Sequence, residues 1–311
     1  MSNWKILVTD GLEETGKVVL RASACLDDRA DISADELLNT VADYDALIVR
    51  GRTKVTPQVF AAARHLKVIG RAGVGVDNIN LEVARAQGVT VVNAPTATTL
   101  AVAELTLGLM FAAARSISRA DANMKTGQWI KKDLKGIELN GKVLGILGMG
   151  NIGCAVALRA LALGMQVIWY DVKESAEEVC GAVPVSKSEL LTRADFISLH
   201  LPLTPETRGM IDSQTLALMK PGVRLICAAR GGIIDESALL EAIESGQVAA
   251  AALDVFTQEP PGLSKLIAHP NVIATPHIGA QTEEAQERAA KDIACEVLAA
   301  LRGEALRWKV A

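Results

Sequence analysis

The chain has 311 residues, near twice the usual length of one domain, which predicts two domains with cores large enough to need no disulfide or metal staples. Half of the residues are hydrophobic and 22% are charged, an ordinary globular balance. A net charge of −4 with only 3% aromatic residues excludes the basic surplus and the stacking platforms of a nucleic-acid binder.

In chain order, the N-terminus has no basic region leading into a long apolar segment and reads as a strand, Lys5–Val8, so no targeting signal is expected and the cytoplasm is the default location. Further strands are predicted at Ala46–Val49, Val68–Gly70, Val89–Val92, Val143–Leu147, Val167–Tyr170, Phe196–Leu199, Val223–Ile226, Ala250–Leu253 and Val272–Ala274. Most are continuous apolar runs, as in strands buried on both faces, and helical patterns separate them. The expectation is an α/β chain of doubly wound parallel sheets. A first block ends near residue 95, and a long helix, about Thr99 to Arg119, leads into a polar, Lys-rich stretch from Asp121 to Asn140. The most apolar helical stretch, Val102–Ile117, is interrupted by Glu104 and Arg115 and is too short to span a bilayer, so no membrane role is expected. A second block runs from Lys142 to about Ala280, and a closing helix, Glu283–Leu301, is expected to pack back on the first block. The predicted division is therefore residues 1–97 with 284–311, and residues 98–283. Cysteines at 25, 154, 180, 227 and 295 are scattered without a C-x-x-C pair, which reads as reduced, mostly buried thiols, with no zinc site.

The strand starting at Lys142 runs into Gly148-Met-Gly150-Asn-Ile-Gly153. Such glycines allow a tight turn, close approach of backbone to a pyrophosphate and close helix–strand packing, and the next helix would aim its N–H groups at the phosphates. Alone the pattern is also compatible with a plain glycine turn. Its context is a strand before, a helix after, and Asp171 ending the next strand eighteen positions beyond Gly153 (171 minus 153). A carboxylate there accepts ribose hydroxyls and repels a 2′-phosphate, which favours NAD over NADP, while Lys173 would soften that repulsion.

A proton carrier is then needed, and histidine suits neutral pH. Of four histidines, His65 and His269 read as structural, and His200 closes a strand either near cofactor or in the core. His277 lies just beyond the strand Val272–Ala274, Arg230 follows Val223–Ile226 in a Gly-rich loop, and Glu259 follows Ala250–Leu253. Three ionisable residues beyond three carboxyl strand ends fit hydride transfer at a carbinol carbon that bears a carboxylate. Arginine would hold the carboxylate, histidine would exchange the hydroxyl proton, and glutamate would orient the ring and stabilise the imidazolium.

The segments Leu47-Ile-Val-Arg50-Gly-Arg-Thr-Lys-Val, Gly70-Arg-Ala-Gly-Val-Gly-Val-Asp-Asn78, Leu144 to Gly153, Ala229-Arg-Gly-Gly-Ile-Ile-Asp-Glu236, Ala252-Leu-Asp-Val-Phe-Thr-Gln-Glu-Pro260 and Thr275-Pro-His-Ile-Gly-Ala280 together resemble the D-isomer-specific 2-hydroxyacid dehydrogenases, and the likeness covers essentially the whole chain. The resemblance implies a flavodoxin-like substrate domain and a Rossmann NAD-binding domain. It implies a catalytic trio of Arg230, Glu259 and His277, with His277 the acid/base. With the glycine turn (Gly148, Gly150, Gly153), the implied NAD contacts are Val74, Asn151, Ile152, Asp171, Leu201, Ala228, Ala229, Arg230, Asp254, His277, Ile278, Gly279 and Ala280. The loop of Gly73, Val74 and Gly75 would place N–H groups on the substrate carboxylate, Arg50 and Arg71 would face a phosphate, and Arg230 and His277 would also touch substrate. Arg52 and Lys54 are further anion-binding candidates. Lys131 matches a basic position able to reach a neighbouring subunit, and Ala120–Gly141 resembles a dimerisation arm, so a homodimer or homotetramer is expected. The implied reaction is oxidation of 3-phosphoglycerate to 3-phosphohydroxypyruvate, the first step of serine biosynthesis. Rival readings are a member acting on glyoxylate, hydroxypyruvate or lactate, and a nicotinamide-sensing corepressor of the same fold. Cys227-Ala228 stands where many relatives carry Asn followed by Thr or Cys, and Thr98-Thr99 replaces a common Asn-Ser. Longer members continue into regulatory domains beyond the position of Ala311, so serine feedback through such a domain is not expected.

Overall fold

The computed structural model describes residues 4–172 and 181–311, so Lys173 and Cys180 lie outside the described residues. The chain forms two compact units, Met1–Thr98 with Ala280–Ala311, and Thr99–Gly279. The second break falls at Gly279/Ala280, four residues before the expected 283/284, because residues 280–282 lead into the N-cap of the closing helix, where Thr282 accepts a hydrogen bond from the Ala285 N–H.

In the first unit, strands β1 (Lys5–Val8), β2 (Cys25–Asp28), β3 (Ala46–Val49), β4 (Val68–Arg71) and β5 (Thr90–Asn93) pair in parallel in the order β2-β1-β3-β4-β5. Successive strand residues point to opposite faces, and the core follows that alternation. Leu7, Leu47, Val49, Ile69 and Val91 pack on one side, and Ile6, Val8, Ala46, Ile48, Val68 and Val92 on the other. On the second side lies the closing helix Glu283–Arg302, with Ile293 and Val297 in that cluster. Gly70 lets it approach: a Cβ there would sit 2.5 Å from a Val297 methyl. The residues after this helix also serve this sheet, since Val310 N–H bonds Val91 O (2.7 Å) and Val91 N–H bonds Ala311 O (3.0 Å), which covers the edge of β5.

The second unit holds β6 (Val143–Leu147), β7 (Gln166–Tyr170), β8 (Val183–Pro184), β9 (Phe196–Leu199), β10 (Val223–Cys227), β11 (Val248–Leu253) and β12 (Val272–Ala274), all parallel, in the order β12-β11-β10-β9-β6-β7-β8. Leu147, Ile197, Leu225 and Leu253 face one core, and Ile146, Phe196, Ile226 and Ala252 the other. Each unit is thus a doubly wound parallel sheet covered on both sides.

Three expectations change. Strands β2 and β8 were not foreseen, because both lie at sheet edges and neither carries a buried apolar run. The long helix ends at Arg115, and a second helix, Ile117–Lys125, starts at 69° to it. Ser116 sits in the left-handed region at φ +51°, and the carbonyls that would continue the helix are diverted. Ala114 O takes the Ile137 N–H (3.0 Å), and Ala113 O takes the Arg224 guanidinium (3.4 Å). The thiols also differ: Cys227 is buried and free, Cys25 and Cys295 are free but exposed, and Cys154 is disulfide-bonded. Among the described residues no single helix is long and apolar enough to cross a membrane.

Candidate active site

The second sheet reverses strand order between β6 and β9, and in open α/β sheets ligands bind outside the carboxyl strand ends at such a point. Gly148 leaves β6 at φ +96°, and a Cβ there would lie 2.5 Å from His200 O and 3.0 Å from a Leu201 methyl. Gly153 presses the helix Asn151–Ala162 onto the turn, since its Cβ would meet Gly148 O at 2.2 Å. At Gly150 a Cβ would meet nothing within 4 Å, and the helix start has no side-chain cap. The first and third glycines are required by packing and the middle one by nothing inside the protein, which leaves the helix N–H groups of Asn151 and Ile152 facing an open cradle that fits a dinucleotide pyrophosphate. Asp171, just past β7, accepts the Met149 N–H (2.9 Å), so the acidic residue also braces the turn.

Beyond the ends of β11 and β12 a buried carboxylate braces the loop that carries His277 beside Glu259. Asp254 follows β11 and is 0% exposed. Its Oδ1 accepts the Thr275 hydroxyl (2.6 Å) and the Ile278 N–H (2.8 Å), and its Oδ2 accepts the Gly279 N–H (2.8 Å). These bonds bracket His277, whose φ of +52° is a strained value for a residue with a side chain. In that pose His277 Nδ1 lies 2.8 Å from Glu259 Oε2, and Glu259 Oε1 accepts the Phe256 N–H (3.1 Å). Both side chains are partly open to solvent, at 50% and 38% exposure, and the pair engages Nδ1 and not Nε2 of the ring. Arg230 is half-buried beyond β10 and donates to Ala229 O (2.6 Å), with Ala228 before it. Gly231 lets its loop meet the one after β11, because a Cβ would fall 1.8 Å from Phe256 O. Burial pushes the neighbouring Cys227 thiol up to about 11, so it stays protonated.

The remaining expected residues lie in the first unit. Gly73 (φ +149°) has Arg71 Nη1 packed over it, 1.6 Å from where a Cβ would stand, and Arg71 also donates to Ala72 O (3.0 Å). Asn93 fixes the loop by donating to Val74 O (2.7 Å), with Gly75 next in line. Arg50 hydrogen-bonds the Gln286 side-chain carbonyl, and Gln286 in turn donates to Ala280 O (2.5 Å). Arg52, an anion candidate in the sequence, is spent on structure: it donates to the carbonyls of Thr9, Ala30 and Ile32 and pairs with Asp10 at 3.2 Å. In the second unit, Lys131 is exposed in the short turn Lys131–Asp133.

Residues 107–279, more than half of the chain, match the NAD binding domain of the D-isomer specific 2-hydroxyacid dehydrogenases. The chain belongs to this family. It is 50% identical over 303 residues to a D-3-phosphoglycerate dehydrogenase of Methanocaldococcus jannaschii, covering 96% of this chain and 58% of that one. The chain spans about half the length of the curated relatives it matches. Its fold superposes on a glyoxylate reductase from Paecilomyes thermophila with a TM-score of 0.92 at 32% identity, over 100% and 99% of the two chains. A D-lactate dehydrogenase from Aquifex aeolicus, solved with NAD and lactic acid, matches at a TM-score of 0.84 and 30% identity over 96% of each.

The family match is to an NAD binding domain, so the cofactor is NAD, in keeping with the open Gly150 cradle and Asp171. Of the other histidines, His65 is exposed and His269 accepts the Asn271 N–H (3.1 Å). His200 is half-buried beneath the Gly148 turn, with Nε2 2.8 Å from Ser198 Oγ and Nδ1 buried without a partner, and desolvation pushes it down to about 4. At that value its ring is neutral at ordinary pH. The sequence reading missed Thr275 as a brace of the His277 loop, and saw Asp254 only as a cofactor contact. The one legible signal was position, an acidic residue directly beyond a carboxyl strand end.

Proposed function

We propose that this 2-hydroxyacid dehydrogenase oxidises D-3-phosphoglycerate to 3-phosphohydroxypyruvate, the first step of L-serine biosynthesis. The observation that carries the chemistry is the His277–Glu259 pair at 2.8 Å, held in a strained pose by Asp254. The substrate is supported by the 50% identity to a relative named D-3-phosphoglycerate dehydrogenase. In this reading Arg230 takes the substrate carboxylate as a planar, always-charged fork. His277 begins neutral and accepts the hydroxyl proton at Nε2, while Glu259 receives the Nδ1–H and stabilises the imidazolium. NAD, when bound, supplies the hydride acceptor. The N–H groups of Gly73–Val76 assist at the carboxylate, and Arg50 and Arg71 take the phosphate end. Asp171 favours NAD because a 2′-phosphate would meet its charge. The arm Ala120–Gly141, with exposed Met124 and Trp129, is assigned to contact between subunits of a homodimer or homotetramer, where Lys131 could serve a neighbour's site.

A second reading, reduction of glyoxylate or hydroxypyruvate, has one observation in its favour: Arg52 is withdrawn from the anion-binding set. A panel decides between them: 3-phosphoglycerate, glycerate and D-lactate with NAD and NADP, and hydroxypyruvate and glyoxylate in reverse. The proposal expects the highest kcat/KM for 3-phosphoglycerate with NAD. Faster turnover of glyoxylate or lactate would replace it with the second reading, and equal use of NADP would remove the role given to Asp171.

A further inference from the structure

The first sheet also has a reversal of strand order, between β1 and β3, and the two strand ends there carry Asp10 and the turn Arg50–Thr53. Turns leaving a strand commonly give their backbone polar groups to water, but here side chains take them from both sides. The Asp10 side chain is 4% exposed. Its Oδ2 accepts the N–H groups of Arg50 (2.7 Å) and Thr53 (3.1 Å), and its Oδ1 accepts the Thr53 hydroxyl (2.5 Å). From the opposite side Asn78 Nδ2 donates to the carbonyls of Arg50 (2.9 Å) and Thr53 (2.6 Å). Arg52 adds a third tie by reaching Asp10 and the Thr9 carbonyl. The turn is therefore fixed at its first and last residues in both donor and acceptor groups.

Charge separates the two arginines of this turn. Arg52 has a carboxylate partner, whereas Arg50 has none within ion-pair distance among the described residues, and its guanidinium rests on the neutral Gln286 amide. A cation presented from a pinned backbone loses less freedom when an anion binds than one on a mobile loop. Asp10 itself is surrounded by donors, so its charge is directed into the turn and not toward the ligand of Arg50.

We propose that Asp10, with Asn78, is a positioning residue that sets Arg50 for the phosphate end of the substrate. This rests on the assignment of Arg50 given above. In Asp10→Asn the shape is kept, but an amide N–H₂ replaces an acceptor among donors, so the turn loses its register. The test measures KM for 3-phosphohydroxypyruvate and for hydroxypyruvate in the reductive direction, for wild type, Asp10→Asn, Asn78→Ala and Arg50→Gln. Asp10→Asn and Asn78→Ala are expected to raise KM for the phosphorylated substrate about tenfold, the scale of one disturbed buried hydrogen-bond set. KM for hydroxypyruvate and kcat with either substrate should stay within about twofold, since no other ligand group is touched. If Asp10→Asn does not fold, Asn78→Ala decides. Equal losses with both substrates would mean damage to the fold alone and would overturn the proposal. If Arg50→Gln changes the KM ratio and the other two do not, the positioning role fails while the substrate assignment stands. If Arg50→Gln leaves the ratio unchanged, the assignment of Arg50 falls and the positioning role with it.

Discussion

His277 stands at φ +52° because its neighbours on both sides are tied to Asp254, and the strain buys a fixed direction for its ring. His277→Ala should lower turnover by about a hundred- to ten-thousand-fold, the range of lost acid–base catalysis, while NAD titration by calorimetry stays close to wild type. Comparable loss of NAD affinity would show that His277 serves binding more than chemistry. A second residue-scale expectation concerns His200. Its folded value is pushed from 6.5 to about 4 by burial alone. Between those pH values the unfolded chain binds a proton that the folded chain refuses, so stability is present in full above about 6.5 and declines as pH falls toward 4. Urea unfolding at pH 7 and pH 5 should differ by about 2 kcal/mol more in wild type than in His200→Gln. Equal pH dependence in both would mean that this imidazole is not desolvated.

At the scale of elements, the three glycines of the cofactor turn do separate work. Gly148 and Gly153 are packing requirements and Gly150 is open, so substitutions at the three are not equivalent. In Gly153→Ala the new methyl would meet the Gly148 carbonyl at 2.2 Å, and neither backbone can yield without moving helix from strand. NAD affinity should fall by about tenfold or more, with the secondary structure retained by circular dichroism. Unchanged affinity would mean that the turn adjusts freely and that its fit to pyrophosphate is loose. The spacing of this motif was legible in the sequence because each glycine answers to local geometry. The break at Ser116 was not, because it depends on Arg224 and Ile137 capturing carbonyls from distant parts of the chain.

For the whole molecule, the helix Ile117–Lys125 buries no residue and Trp129 is 77% exposed, which fits an arm completed by a second chain. Sedimentation at micromolar concentration is expected to show at least twice the 32.8 kDa of one chain. A single species at monomer mass would remove the arm and the role of Lys131. The sequence by itself determined the central strands of the two sheets, because strands buried on both faces must be continuous apolar runs, and their carboxyl ends singled out Arg230, Glu259 and His277 as candidates. It could not show the edge strands β2 and β8, which lack a buried face, nor which charged residues are consumed in holding the fold. Arg52 and Arg50 look alike in the chain, and only the tertiary structure engages one with carbonyls and leaves the other without a carboxylate partner among the described residues. Asp254 and Asp10 are likewise plain acidic residues until folding surrounds each with donors from segments far away in sequence. Hydrogen-bond partners of that kind are chosen by the packed strands and not by the local chain.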